Sequence, residues 1–231
     1  MPQFSDAEWN AIWLSLRVSS VAVASSLPFA VLLAALFAKR DFPLKAVAES
    51  VVYLPLVLPP VAVGYGLLLL LGRHGPLGAW LYDTFGITFA FRWTGAAIAS
   101  AVMGFPLMVR AIRLSLEAID FRLERAARTL GAGPLRVFFT ITLPLALPGL
   151  LAGAMLSFGR SLGEFGATIT FVSNIPGETQ TLPLAIYADT QVPGGDAPAM
   201  RLALVSVALA LAALIVSEYL SRRAARRAKG G

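Results

Sequence analysis

The sequence predicts an all-α membrane protein, a polytopic bundle of about five transmembrane helices. Of its 231 residues 57% are hydrophobic, and the mean hydropathy is +0.74, well above the range of soluble domains. Five long apolar runs lack charged residues. At about 1.5 Å per helical residue, each run crosses most or all of a hydrocarbon core about 30 Å thick. Because the runs are continuous rather than alternating, they indicate helices and not the strands of a membrane barrel.

We place the spans at about 12–38, 47–72, 93–110, 137–160 and 201–220, the third and fifth with help from flanking residues. The first run is too long for a signal-peptide core, so we expect it to be retained. Residues 73–92 and 173–200 are then outer loops, the first long enough for an interfacial helix. The second span contains Pro59 and Pro60, which predict a broken or kinked helix. Such a kink can border a transport path, although proline is common in membrane helices generally.

The basic residues predict the orientation. Fourteen of the 19 lysines and arginines lie in segments 39–45, 110–136 and 218–231, whereas the alternate loops hold four. Cytoplasmic loops carry the excess of Lys and Arg, so we expect the N-terminus outside and the C-terminus in the cytoplasm. This bias also accounts for the net charge of +6, so we expect no nucleic-acid partner.

Residues needed for catalysis or metal binding are scarce. The chain has no cysteine and one histidine, His74, which lies in an outer loop. No G-x-x-x-x-G-K-[ST] phosphate loop is present. We therefore expect no catalytic residue, metal or cofactor in this chain. If ATP drives the protein, a separate chain must bind and hydrolyse it.

The cytoplasmic loop 110–136 contains a short amphipathic helix. Asp120 is a suitable N-cap, and Gly131 suits a left-handed end. Apolar residues recur at helical spacing between these two positions, with arginines away from the apolar stripe. By pattern alone the segment could be a basic helix at the membrane surface or in solvent.

The spacing in this loop favours a more specific interpretation. Ala126 and Ala127 are followed by Gly131, and after nine further residues by the run from Ile141 through Leu143 to Pro144. This resembles the E-A-A-x-x-x-G-x(9)-I-x-L-P loop of ABC-importer permeases, whose short helix docks into an ATP-binding subunit. The resemblance implies that the coupling residues are Glu124, Arg125, Ala126, Ala127, Gly131, Ile141, Leu143 and Pro144. Arg125 stands where the family has the glutamate, and Glu124 is displaced by one position.

Other stretches resemble the molybdate permease subunits of this family: 54–61, 105–112, 126–133, 160–171 and 173–179. The resemblance covers essentially the whole chain. It implies one permease domain over 1–231 with a type I ABC-importer fold, in a bacterial inner membrane. It also implies a homodimer, two copies of an ATP-binding subunit, and a periplasmic or lipoprotein oxyanion-binding protein that docks on an outer surface including 173–200.

Three alternatives remain open. Sulfate and thiosulfate permeases share a Gly-Glu-Phe-Gly stretch, and tungstate is chemically close to molybdate. A gradient-driven secondary transporter would often show paired repeats, which five spans without internal self-similarity do not favour. A membrane scaffold without transport activity would fit only if the inner loop bound no ATPase.

A polar stripe follows the fourth span and its outer extension. Its members recur at three- and four-residue spacing: Ser157, Arg160, Ser161, Glu164 and Thr168. Arg160 and Glu164 are spaced to form an ion pair along a helix, which is a structural explanation. The alternative is that the stripe, with Pro59 and Pro60, lines a translocation path, because charges at membrane depth usually face a bundle interior or water.

Overall fold

The computed structural model describes the chain over residues 4–229, and the regular elements in that range are helices. Most of them are α-helices, and one π-helix, Phe138–Thr142, lies between the seventh and eighth. The α-helices are α1 Asp6–Lys39, α2 Lys45–Val57, α3 Pro60–Leu71, α4 Pro76–Phe85, α5 Trp93–Glu117, α6 Phe121–Thr129, α7 Pro134–Val137, α8 Leu143–Leu162, α9 Gly166–Val172, α10 Leu182–Thr190 and α11 Asp196–Lys229.

Among the described residues, four helices are long and apolar enough to cross a membrane, or five if α2 and α3 together form one span. The first of the four is α1, the second is α5, and the last is α11 up to Tyr219. The remaining one is a continuous rod formed by α7, the π-helix and α8, over Pro134–Leu162. The all-α bundle predicted from the sequence is therefore confirmed, although the helix bounds differ from the expected spans. In particular α5 extends to Glu117, so the inner loop is shorter than 110–136.

α5 lies at the centre of the bundle and α11 at its edge. In the apolar windows of these helices, 61% of α5 is buried within the chain but only 11% of α11. α5 packs against both α1 and α8. Small residues permit the close approach, including Ala30 and Ala34 of α1, which are fully buried. α5 runs through Gly104 and Pro106 without interruption.

The glycines of α8 explain how it approaches α5. A β-carbon at Gly153 would lie 3.0 Å from the backbone oxygen of Met108, and one at Gly149 would collide with Ser115. Gly149 and Gly153 form a G-x-x-x-G spacing, which is thus a helix-packing site, as such spacings often are. Gly159, which forms the same spacing with Gly163, instead faces open space.

The second predicted span is sharply bent. The chain bends by 113° between α2 and α3, and Leu58 and Pro59 form the break between them. Pro60 is the first residue of α3, where its missing N–H has no helical partner to lose. The expected kink is therefore a complete break between two half-helices.

The two segments predicted as outer loops contain helices rather than plain connectors. α4 lies within the predicted loop 73–92, and α10 lies within 173–200. α10 is well anchored, because Leu182 and Leu184 are buried and the backbone N–H of Leu182 donates to the Ser15 hydroxyl at 2.6 Å. Beside it an ion pair of 2.9 Å joins Arg201 of α11 to Glu8 of α1.

Candidate coupling site and translocation path

The short helix α6 has the caps that its sequence predicts. The Asp120 carboxylate accepts a hydrogen bond of 2.9 Å from the backbone N–H of Arg122, which satisfies one of the free donors at the helix start. Gly131, just past the helix end, has φ of +85°, the left-handed region that favours glycine. Pro134 then occupies the first turn of α7. These features hold α6 as a separate helix at the base of the rod that contains α8.

α6 presents most of its surface outward. Leu130 is 89% exposed, Leu123 is about half exposed, and Ala126 is exposed, while Ala127 is half-buried. Arg125 is exposed as well. The apolar stripe that the sequence predicts is therefore not consumed by packing within the chain. An exposed apolar stripe on a short helix is a surface suited to a partner.

Glu124, by contrast, is directed into the chain. Its side chain is 15% exposed and forms an ion pair with Lys39 of α1. The same carboxylate oxygen accepts a hydrogen bond of 2.6 Å from the hydroxyl of Thr142. Burial opposes ionisation of Glu124, but the contacts with Lys39 and Thr142, together with the nearby charge of Arg128, outweigh it and hold the pKa of this carboxyl below its ordinary value. Glu124 is therefore charged at neutral pH.

Lys39 and Thr142 were not among the residues expected to act in the coupling loop. Lys39 lies 85 positions before Glu124, and Thr142 lies 18 positions after it. Thr142 occupies the unspecified position between Ile141 and Leu143, which no motif marks. The tertiary fold brings the three side chains together, because α1 packs against α8 and α6 lies against the π-helix that precedes α8.

The last part of the loop motif lies at the base of the membrane rod. Ile141 belongs to the π-helix, and Leu143 and Pro144 form the first turn of α8. Pro144 has no N–H for the carbonyl of Thr140. The π-helix immediately before it widens the turn, and the N–H of Leu143 bonds to the carbonyl of Phe138. Such π-helical turns are uncommon and often occur at functional sites.

The polar stripe does not run along one helix. α8 ends at Leu162, Glu164 lies in the break, and Thr168 belongs to α9. Four of the five side chains, Ser157, Ser161, Glu164 and Thr168, are buried within the chain. The stripe is therefore an interior feature at the end of α8. Its role in a path stays a prediction.

Two contacts tie this part of the stripe to α5. The hydroxyl of Ser161 donates to the backbone oxygen of Ser100 at 3.3 Å. Ser157 packs directly on Gly104, where a β-carbon would collide with its hydroxyl oxygen. The serines thus fasten the outer end of α8 to the central helix.

Arg160 and Glu164 form the ion pair that their spacing predicts, with 2.5 Å between Nη1 and Oε2. The other carboxylate oxygen of Glu164 accepts a hydrogen bond of 2.8 Å from the N–H of Ala167 at the start of α9. The Glu164 side chain is 1% exposed and that of Arg160 is 27% exposed. The carboxylate therefore holds the break between α8 and α9, and the guanidinium is the partly exposed member.

Pro59 and Pro60 lie close to this break. Pro60 approaches Gly166, where a β-carbon would lie 2.8 Å from the Pro60 Cβ, while Pro59 is exposed. One turn further, a β-carbon at Gly64 would collide with the backbone of Ala167. Two glycines thus let the half-helix α3 stand directly against α9. The structure therefore brings the start of α3 against the start of α9, and a path lined by Pro59 and Pro60 stays a prediction.

A cavity of about 590 Å³ adjoins the same region, between α8, α10 and α11. The residues lining it include Gly159, Phe165, Tyr187 and Val207, and none of those lining residues is charged. Its walls offer no cation to an anion, so its chemistry is that of an apolar groove.

Comparison with known proteins gives consistent matches. Residues 26–226 match the family described as the binding-protein-dependent transport system inner membrane component. The chain is 62% identical over 224 residues to the molybdenum transport system permease protein ModB of Escherichia coli strain K12, covering 97% of this chain and 98% of that protein. It is 57% identical over 216 residues to ModB of Haemophilus influenzae, covering 94% of each.

A solved structure resembles the fold at much lower sequence identity. The chain matches a bacterial alginate ABC transporter in complex with an alginate pentasaccharide-bound periplasmic protein, with a TM-score of 0.75 and 19% identity. The match covers 96% of this chain and 80% of that one. At this identity the likeness concerns the fold.

Proposed function

We propose a substrate and a mechanism on one premise: this chain belongs to the family of inner membrane components of binding-protein-dependent transport systems, and is a multi-pass inner membrane protein. The proposed function is that of the permease subunit of an ATP-driven importer of a tetrahedral oxyanion, molybdate. The observation that carries the substrate is the match to a molybdenum permease along almost the full length of both chains. Tungstate and sulfate are the alternative substrates.

The chain provides the passage, and a separate ATP-binding subunit hydrolyses the nucleotide. The support is the exposed apolar surface of α6 and the residue that follows it, with Leu123 about half exposed and Leu130 at 89% exposure. We assign the coupling contact to Arg125, Ala126 and Ala127, and the geometry of its turn to Gly131. In a homodimer each permease copy presents one such helix, so the dimer binds two ATPase subunits.

The proposed path passes the meeting point of α3, α8 and α9. Arg160 is the partly exposed charge there, and Glu164 neutralises it at 2.5 Å. A paired cation attracts an anion less strongly than a free one, and a transported ion must leave each site that it enters. Ser157, Ser161 and Thr168 hold α8 and α9 in place around it, and Pro59 and Pro60 shape the facing half-helix.

Selection of the anion is assigned to a periplasmic or lipoprotein binding protein, which docks on the outer face that includes 173–200. This face is preorganised, because α10 is anchored by buried leucines and by the bond from Leu182 to Ser15. The orientation that this requires, with the N-terminus outside, rests on the distribution of Lys and Arg.

The proposal is tested with the permease, its ATP-binding subunit and its binding protein reconstituted together in vesicles. We expect uptake of labelled molybdate that requires ATP and the binding protein, and that excess tungstate inhibits more strongly than sulfate. Uptake driven by an ion gradient without ATP would instead identify a secondary transporter. Inhibition by sulfate at lower concentration than by molybdate would show that the substrate assignment is wrong.

A further inference from the structure

One acidic side chain connects three separate elements on the inner side of the bundle. Glu124 of α6 contacts Lys39, the last residue of α1, and Thr142, the last residue of the π-helix before α8. The Lys39 ammonium also donates to the Thr142 hydroxyl at 3.3 Å. The three groups form a closed triangle of contacts, which we name the inner triad.

Among the side chains that the structure describes, few other contacts attach α6 to the membrane helices. Its backbone approaches α7 and the π-helix only lightly, whereas α1, α5 and α8 pack extensively with one another. Leu123 of α6 is about half exposed and Leu130, just past its end, is 89% exposed, so these leucines bury only part of their surface within the chain. A side-chain contact that reaches both α1 and the base of α8 is therefore well placed to make α6 move with them.

The position of Glu124 favours an internal role over a contact with the ATPase. Its side chain is 15% exposed, and its Oε1 atom is already shared by Lys39 and Thr142. A carboxylate bonded in this way would have to lose both contacts to reach a partner, at the cost of leaving a cation without its counter-charge. The residue on the outward side of α6 at the neighbouring position is Arg125.

We propose that Glu124 is a positioning residue that fastens α6 to the inner ends of α1 and α8, so that movement of α6 reaches the membrane helices through the inner triad. This inference rests on the proposed function, because it requires an ATP-binding partner that moves α6. The route then continues along α8 from Thr142 to Arg160 and Glu164 at its far end. The π-helix at the base of α8 is the local element whose widened turn can adjust as the triad shifts.

The test compares single variants with a charge exchange in the reconstituted complex. Glu124→Gln and Lys39→Met each remove the ion pair. We expect each to lower the molybdate taken up per ATP hydrolysed by about tenfold, the factor that corresponds to about 1.4 kcal/mol. ATP hydrolysis and the amount of ATPase subunit bound to the permease should stay close to wild type. The double variant Lys39→Glu with Glu124→Lys restores the pair in reverse and should recover most of the ratio.

Asp41→Asn is the matched control. Asp41 is a fully exposed carboxylate two positions after Lys39 and pairs with Lys45 at 3.0 Å, outside the inner triad, so its loss should leave the ratio unchanged. Loss of bound ATPase in Glu124→Gln but not in Lys39→Met would show that Glu124 contacts the partner and would overturn the inference. So would a wild-type ratio in both single variants, or failure of the charge exchange when the double variant assembles normally. Absence of ATP-dependent uptake in the wild-type complex would instead contradict the proposed function itself.

Discussion

Gly131 offers a sharp test of the coupling turn. Its φ of +85° lies in the left-handed region, and a β-carbon built there meets no atom within 4 Å. A larger side chain therefore finds free space, and its only penalty is the backbone conformation. For an L-residue that penalty is about 1–2 kcal/mol, and valine, with its branched β-carbon, belongs at the upper end.

The conformational penalty of a residue at this position sets the fraction of chains that adopt the native turn. At about 1.4 kcal/mol per factor of ten, Gly131→Val lowers the fraction of chains with the native turn, relative to other turns, by about 5- to 30-fold. The native turn is held by a bond of 3.1 Å from the N–H of Ala132 to the carbonyl of Ala127. A different turn changes the direction of α6 relative to α8. We expect substrate-stimulated ATP hydrolysis to fall by a similar factor while the protein still inserts and the spans remain folded.

Gly133→Val is the control, because Gly133 is equally free of neighbours but has φ of −66° and ψ of 159°. This extended conformation is the one favoured before Pro134, and valine adopts it readily. Gly131→Asn should lose less than Gly131→Val, since asparagine tolerates the left-handed region. The measurement is ATP hydrolysis by the reconstituted complex, with and without loaded binding protein. Equal activity of Gly131→Val and Gly133→Val would refute the argument from the turn.

Three further predictions concern the path, the topology and the outer face. Arg160→Ala should slow molybdate uptake without changing the preference for molybdate over sulfate in competition assays, and a reversed preference would show that the permease itself selects the anion. Cysteines introduced at Gly177 and at Gly230, which lies outside the described residues, should react with impermeant reagents from opposite sides of the membrane; labelling from one side contradicts the proposed orientation. Burial and the negative charge of Glu8 raise the pKa of Asp189, so the fold loses stability as its carboxyl ionises. Asp189→Asn should therefore raise the melting temperature at neutral pH but not below pH 3.8, the ordinary value for aspartate, and an equal rise at both would contradict an ionisation effect.

The bounds of α6, the proposed coupling helix, could be predicted from local signals. The cap at Asp120, the stop at Gly131 and the start at Pro134 each depend on residues a few positions apart, and the structure has all three. The pairing of Arg160 with Glu164 is also local, at i and i+4. The role of Glu124 could not be found in this way, because Lys39 is 85 positions distant and carries no motif. The resemblance to the permease loop motif showed only that Glu124 is displaced by one position.

Other differences follow from packing over long distances. The sequence left open whether the polar stripe stabilises the fold or lines a path; the described structure packs Ser157 against Gly104 and Ser161 against Ser100 of α5, and a role in a path stays a prediction. The periodicity of a helix tells which residues share a face but not what the face meets. Likewise the prolines indicated a kink, while the 113° break depends on α3 lying against α9, where Gly64 and Gly166 permit the approach.

The sequence by itself determined that this protein is an all-α bundle with about five apolar spans, and where the short helix α6 begins and ends. These properties follow from the hydropathy of long runs and from the backbone preferences of proline, glycine and capping residues, which act over a few positions. Only the tertiary structure decided that Glu124 belongs to the inner triad, that the serines of α8 face α5, and that α3 meets α9. Those contacts join residues far apart in the chain, and they depend on how the small side chains of α1, α5 and α8 let the helices approach.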